Sequence, residues 1–403
     1  MAYPVPSEAF ASAEINELRR RGVDVSVHTL RGQRRDHDEI SAQQSLGDTL
    51  VGHAWSGSVW RGLESAIRHP KLALRLWWRL VKTLITRPTV LAACLFWSLR
   101  CFELLAVAQR ERPDVIHLFW GHAPSMLGWL VIEALPDVQV TTCLGAYDLD
   151  LALPIGFEVG RRCAAVRTFA EPNMGALIGE GIAAEKIHLI YQGIPLPKGI
   201  SDDLPTDGKD HKRMVFAGRL IPKKGAEMAI QVLARVVQAH PTTMLTILGD
   251  GPLRDSLRRC VDRLGLSEAV AFHGHVSRTD LYRELQSAAL FLLPSTHRER
   301  LPNVIKEAAA ARCCCLTTST PGIEALIRDG ESGRLLDAND LEVWVTAVTE
   351  LIEHPETASR MADRACDTVR RQFDIRRTTE SLLRMWEPRL DASEPANGVR
   401  ERS

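Results

Sequence analysis

The sequence predicts an α/β protein of two domains, each a parallel sheet of doubly wound, Rossmann-like type. Three observations carry this expectation. Short β-branched or apolar runs alternate with longer amphipathic ones, the signature of repeated strand–helix–strand units. The alternation stops once, at a stretch rich in Pro, Gly and Asp, and then restarts. The 403 residues, 45% of them hydrophobic, suffice for two or three cores at roughly 100–200 residues per domain.

In chain order, the first half offers VDVSVHTL (23–30), DVIHLFW (114–120), VQVTTCLGA (138–146), AAVRTFAE (164–171) and KIHLIYQ (186–192) as strands. The chain opens on YPVPSEAF and passes straight into the helical pattern AFASAEINELRRRG, so the strand expected before that loop is missing. IPLPKGISDDLPTDGKDHK cannot hold a regular element and reads as the interdomain linker. RMVFAGRL (213–220), TMLTILG (243–249), VAFHGH (270–275), LFLLPS (290–295) and CCCLTTS (313–319) then follow, each with a helical run behind it. The expected organisation is a first domain over 1–195, a linker over 196–212 and a second domain over 213–371. A helix over 372–388 returns to the first domain, and 389–403 is a polar, disordered tail. Ligands of open parallel sheets bind beyond the carboxyl ends of the strands, so the chemistry is expected there, at a cleft between two facing domains.

Lys plus Arg and Asp plus Glu each number 50, which argues against a dedicated nucleic-acid binder. The nine cysteines, three of them consecutive at Cys313, Cys314 and Cys315, show no CxxC pair and no His/Cys ligand spacing. They read as buried thiols of a reducing compartment, and no metal centre is expected. The opening lacks a basic start followed by an apolar run, so no secretory signal is read. Uncharged runs at 88–99 and 115–132 fall short of a membrane span of about 20 apolar residues. The expected location is cytoplasmic.

Three segments can carry chemistry. GRLIPKKG (218–225) follows a strand and opens a helix, so Arg219 and Lys224 sit where a helix N-terminus already favours anions. A guanidinium fork and a mobile ammonium together suit a diphosphate, although exposed charges after a strand are also common. In TILGDGPLRDSL, Gly249 and Gly251 match the first two glycines of a dinucleotide fingerprint, but Arg254 stands at the third. A tight turn with Pro252 at the first helical position is the better reading. In PSTHRERLPNVIKEAAAARC, Glu299 and Glu307 are eight apart, across the loop ERLPN and into the first turn of a helix. A carboxylate there can accept both hydroxyls of a ribose while free amides face phosphate or sugar oxygens. A glycosidase acid and base is the other chemical reading, weakened by the cationic loop, and a solvated Glu pair is the bland one.

GRLIPKKG, LGDGP, FHGHV, ERLPNVIKE and TPGIEALIRDGESGRLL are similar, in order and spacing, to the carboxyl-terminal domain of family 4 retaining glycosyltransferases of GT-B fold. YPVPSEAFASAEINELRRRG resembles the opening of the members that build exopolysaccharides. The resemblance implies that Gly218, Arg219 and Lys224 hold a donor diphosphate and Glu307 the ribose. Glu299, with the Leu301, Pro302 and Asn303 backbone, faces the donor sugar, and Ser7 and Glu8 approach the acceptor or the phosphates. Glu299, Arg219 and Lys224 are then the catalytic groups. The helix opening near Pro302 and Asn303 stabilises the leaving nucleotide without a metal, and the sugar transfers with retention by front-face attack. No cofactor is implied beyond the nucleotide diphosphate sugar as donor substrate, and the acceptor is a lipid-linked glycan or polysaccharide.

Two positions depart from the pattern. Arg300 replaces the glycine after the first glutamate, and Gly145 stands where relatives carry the histidine of His-Gly-x-Asp, in Gly145-Ala146-Tyr147-Asp148. His117 and His122 lie nearby, and both also read as packed strand-end residues. These departures motivate two rivals, a non-catalytic partner subunit and a nucleotide-sugar epimerase of the same fold. Retention of Arg219, Lys224 and Glu307 argues against the first, and turnover of donor without acceptor would mark the second.

Residues 60–100 carry eight basic side chains against the single acid Glu64. On a helix Lys71, Arg75, Arg79 and Lys82 share a narrow arc opposite Leu74, Trp77, Leu80, Val81 and Leu84. This is the pattern of an interfacial helix on an anionic membrane surface, and equally that of a core helix with a solvated basic stripe.

Overall fold

The computed structural model describes residues 9–30, 41, 46, 55–196, 209–296 and 301–387. The chain divides into two compact units, Met1–Gly193 with Ile375–Ser403, and Ile194–Asp374.

Among the described residues the first unit opens with the helices α1 (Ala9–Arg20), α2 (Trp55–Arg68), α3 (Pro70–Leu84) and α4 (Pro88–Glu111). There follow β1 (Val115–Leu118), α5 (Ser125–Ala134), β2 (Gln139–Cys143), α6 (Ala146–Leu151), α7 (Pro154–Arg162), β3 (Ala165–Thr168), α8 (Pro172–Gly179) and β4 (Ile187–Leu189). The strands form a parallel sheet in the order β1-β2-β3-β4. All five residues of β2 and all four of β3 are buried, as expected where helices cover both faces of a parallel sheet. Arg167 of β3 is fully buried; it is neutralised by Glu14 of α1 at 2.7 Å and donates to the carbonyls of Ile190 and Tyr191.

The expected strand at 23–30 is corrected. Among the described residues only Val27 makes a bridge there. The alternation of valines with Asp24 and Ser26 is used for packing instead, Val23 and Val25 lying against Leu18, Ile190 and Leu382.

Helix α4, with 24 residues, is long and apolar enough by composition to cross a membrane, which the short uncharged runs of the sequence do not suggest. Here Cys101, Phe102 and Leu105 are sealed in the core. Its two mid-helix charges, Arg100 and Glu103, pair with each other and with Ser58 and Arg61 of α2.

The basic arc expected on α3 stays at the surface, but two of its four members are engaged, and of the apolar side expected opposite it Leu80 and Leu84 are buried while Leu74 stands in solvent. Arg75 pairs with Glu133 at 2.7 Å and Arg79 with Glu158, and their guanidinium carbons lie 5.6 and 5.8 Å from the centre of the Trp129 ring. Glu133 and Glu158 are mostly covered, so each needs a cation, and α3 supplies them. Burial pushes the Glu133 carboxyl up, but Arg162 and Arg75 together hold it below its usual range.

The second unit comprises β5 (Asp210–Ala217), α9 (Ala226–Val236), β6 (Met244–Leu248), α10 (Arg254–Arg263), β7 (Val270–Gly274), α11 (Arg278–Ser287) and β8 (Ala288–Leu293). It continues with α12 (Asn303–Ala310), β9 (Cys314–Thr318), β10 (Arg334–Leu336), α13 (Leu341–Glu353) and α14 (Pro355–Thr368). Its six strands are parallel, in the order β10-β9-β8-β5-β6-β7. Every residue of β8 is buried, which suits a strand flanked on both sides. Cys313, Cys314 and Cys315 fill β9 and its approach; all nine cysteines are buried and free.

A π-helical segment, Val369–Phe373, ends this unit, and α15 (Ile375–Trp386) belongs to the first. There Leu382 and Met385 pack with Leu18 of α1, and Arg21 donates to the Arg376 carbonyl at 2.6 Å.

Candidate functional site

Three loops lock together at the carboxyl edge of the second sheet. After β5, Gly218 N donates to the Leu248 carbonyl at 2.9 Å and Leu220 N to that of Asp250 at 3.0 Å, while Leu253 N donates back to Leu220. The two glycines of Gly249-Asp250-Gly251 permit this approach. A Cβ on Gly249 would lie 1.9 Å from the Gly218 carbonyl oxygen, and one on Gly251 2.6 Å from that of Leu220. Loop-to-loop contact, rather than a dinucleotide, accounts for that glycine pair, and Pro252 sits in the turn before α10 rather than on its first turn.

On the other side, Thr296 N and Ser295 Oγ donate to the Lys223 carbonyl at 3.0 and 2.9 Å. Gly225, at φ 77°, is so close to the loop after β8 that a Cβ would meet the Pro294 carbonyl oxygen at 2.0 Å. The loop carrying Gly218, Arg219 and Lys224 is therefore held from both flanks. Arg219 is exposed on it and has no carboxylate partner among the described residues.

The loop after β8 leads to Leu301, Pro302 and α12. Among the described residues no side chain caps this helix, so its first-turn amides at Asn303 and Val304 are available to a ligand at its positive end. Leu301, Pro302 and Asn303 are half-buried. Lys306 is buried, with its amine donating to Asn303 Oδ1 at 3.0 Å and lying 5.4 Å above the Phe373 ring. Burial drives its ammonium down to about 7, against the pull of Glu307.

Glu307 is 7% exposed, and its Oε1 is 3.5 Å from Arg278 Nε. Burial raises its carboxyl above the usual range, with Arg278 and Lys306 opposing. One turn along α11 from Arg278, the Tyr282 hydroxyl is buried without a hydrogen-bond partner among the described residues, and burial together with Glu307 pushes its phenol up. Arg278 and Tyr282 escaped the sequence reading. They are 29 and 25 positions from Glu307, and no spacing rule connects a helix start to a helix that follows the next strand.

Glu299, Arg300, Ser7 and Glu8 lie outside the described residues. Among the described residues no three His, Cys, Asp or Glu side chains gather as a metal site requires.

At the carboxyl edge of the first sheet, Asp148 is buried and accepts the amides of Gly121 and Gly145, both at 2.9 Å, tying the loop after β1 to the start of α6. His122 follows Gly121, its ring 5.8 Å from that of Tyr147 and its Nδ1 without a hydrogen-bond partner among the described residues. Burial pushes His122 down to about 4 and His117 down to about 3. His117 bonds Thr141 Oγ1 at 2.9 Å and touches the rings of Phe119 and Trp386, so it is a packed, neutral side chain.

The family described as glycosyl transferases group 1 matches residues 204–367. The lipopolysaccharide core biosynthesis glycosyltransferase LpsE of Rhizobium meliloti (strain 1021) is 32% identical over 286 residues, which span 69% of this chain and 77% of the relative. HepE of Anabaena, solved in complex with UDP, superposes with a TM-score of 0.57 at 20% identity over 70% of this chain and 81% of its own. The apo form of the lipopolysaccharide outer core galactosyltransferase WaaB superposes with a TM-score of 0.56 at 16% identity, covering 73% and 80%. At these identities the two superpositions show the fold, which is GT-B.

Proposed function

Because the chain belongs to the glycosyl transferases group 1 family, we propose that it moves a sugar from a nucleotide diphosphate sugar to a lipid-linked glycan or polysaccharide acceptor. The setting is cell-surface polysaccharide synthesis, and the anomeric configuration is retained. One observation carries the donor half of this reading: the doubly anchored loop of Arg219 and Lys224 lies at the same sheet edge as the uncapped start of α12. LpsE and WaaB, by their descriptions, act on lipopolysaccharide core, which supports the acceptor class.

In this reading the Arg219 fork and the Lys224 ammonium neutralise the diphosphate as it becomes a leaving group. The first-turn amides of α12 take phosphate or sugar oxygens, and Glu307 accepts the ribose hydroxyls. Glu299 and Ser7 face the donor sugar and the phosphates. The acceptor oxygen bonds to the anomeric carbon on the face from which the phosphate departs, and its proton passes to the departing phosphate oxygen. Fixed cations and helix amides supply the positive charge, so no metal ion is required. The site of work is the cytoplasmic membrane face, reached through residues 60–100.

The test is calorimetry with uridine, guanosine and adenosine diphosphates, followed by transfer from labelled nucleotide sugars to membrane lipid extract. Arg219→Ala should weaken diphosphate binding by about 10- to 100-fold, the worth of one charge-assisted contact. Wild-type transfer by Arg219→Ala would sink the assignment.

A further inference from the structure

Six of the large hydrophobic side chains that stand in solvent lie on α2, α3, α4 and the short turn that follows α3. On α3, Leu74 and Trp78 are 65% and 71% exposed, and Ile85, just past its end, is 66% exposed. At 100° per residue these three fall within about 40° of one another, and the buried row Ala73, Leu76, Leu80 and Leu84 is centred about 140° away. They are not the back of the core. On α2, Trp60 and Ile67, two turns apart, are 72% and 69% exposed.

The charges around this face are sorted. Arg75 and Arg79 are committed to Glu133 and Glu158 and brace α3 against α5 and α7. Lys71 and Lys82 lie within about 60° of the apolar row, exposed and without an ion pair among the described residues. Helix α3 contains no acidic residue.

We propose that Leu74, Trp78 and Ile85 insert into the headgroup boundary of an anionic lipid leaflet, with Lys71 and Lys82 on the phosphates. This rests on the membrane placement given under the proposed function and assigns the face that makes it. Trp and aliphatic side chains at headgroup depth, flanked by lysines, are what an interfacial helix presents. The charge pattern selects lipid over a second copy of the chain. A twofold contact through this face would gather four lysines with no acid on α3 to offset them, whereas anionic headgroups complement them.

The experiment uses the full chain with vesicles of phosphatidylcholine alone, or with about one third phosphatidylglycerol, read by co-sedimentation and tryptophan fluorescence. Wild type should bind the anionic vesicles more tightly, and less so as salt rises. Leu74→Ser with Trp78→Ser should weaken binding by about tenfold or more through lost apolar burial. Lys71→Gln with Lys82→Gln, at two exposed positions, should weaken binding to anionic vesicles only. Arg75→Gln should change binding little.

Unchanged vesicle binding in either pair of variants overturns the proposal. So does a dimer in sedimentation velocity that Trp78→Ser dissociates, since a second copy would then be the occupant. Uridine diphosphate calorimetry on the same variants separates the two readings. Vesicle binding by a chain that takes no diphosphate defeats the transferase reading alone, and diphosphate binding without vesicle binding defeats the docking face alone.

Discussion

Glu307 Oε1 stands 3.5 Å from Arg278 Nε, so the buried carboxylate of α12 is held by a guanidinium from α11, before rather than after β8 in the chain. Burial already raises the Glu307 carboxyl, and Arg278 works against that rise. If Glu307 accepts the two ribose hydroxyls as proposed, Glu307→Gln should lower transfer by about 100-fold, because one of its two buried acceptor oxygens becomes a donor. Arg278→Ala raises the carboxyl further, so the ionised form disappears at a higher pH. The acid limb of kcat/KM should move upward, and an unmoved limb would remove Arg278 from the site.

Gly225 is a backbone requirement of the cationic loop. With φ at 77° and a Cβ at this position only 2.0 Å from the Pro294 carbonyl oxygen, Gly225→Ala forces the loops after β5 and β8 apart. A cost of about 3 kcal/mol is expected in urea unfolding, with weaker diphosphate binding in the folded fraction. Gly265, at φ 70° with open space around it, is the control: Gly265→Ala carries only the backbone strain.

Asp148 carries the corresponding job in the first unit. Its two oxygens each take one amide, from Gly121 and Gly145, in a buried setting. Asp148→Ala leaves both donors unpaired and should cost about 2–4 kcal/mol, measured by the urea midpoint. Asp148→Asn keeps one acceptor oxygen and should cost less.

His117 and His122 should make the first unit acid-sensitive. Both are held neutral in the fold, down to about 3 and about 4, while the unfolded chain protonates near 6.5. The unfolded state therefore binds more protons below pH 6.5, and stability falls as pH drops from there toward 4. His117→Asn should flatten the loss between pH 6.5 and 5 in urea titrations. An equally steep loss would show that His117 is not the group responsible.

The sequence by itself determined most of the strand alternation, since runs such as LFLLPS and CCCLTTS admit little except buried parallel strands, but it did not offer the three-residue edge strand β10. It also placed Arg219 and Lys224 on a loop between strand and helix, and Glu307 one turn into a helix, because caps and breakers are local. Contacts between distant segments were decided only by the tertiary structure. Sequence periodicity put Arg75 and Arg79 with Lys71 and Lys82, and only packing against Glu133 and Glu158 separated them. The glycines at 249 and 251 look like a nucleotide fingerprint until a neighbouring loop is seen 1.9 and 2.6 Å from where their side chains would be. Val23 and Val25 alternate like a strand, yet hydrophobic contact is satisfied by helices as well as by a ladder. The physical reason is common to all three. Periodicity reports which face of an element is apolar or charged, and the identity of the group that meets that face depends on residues far away in the chain.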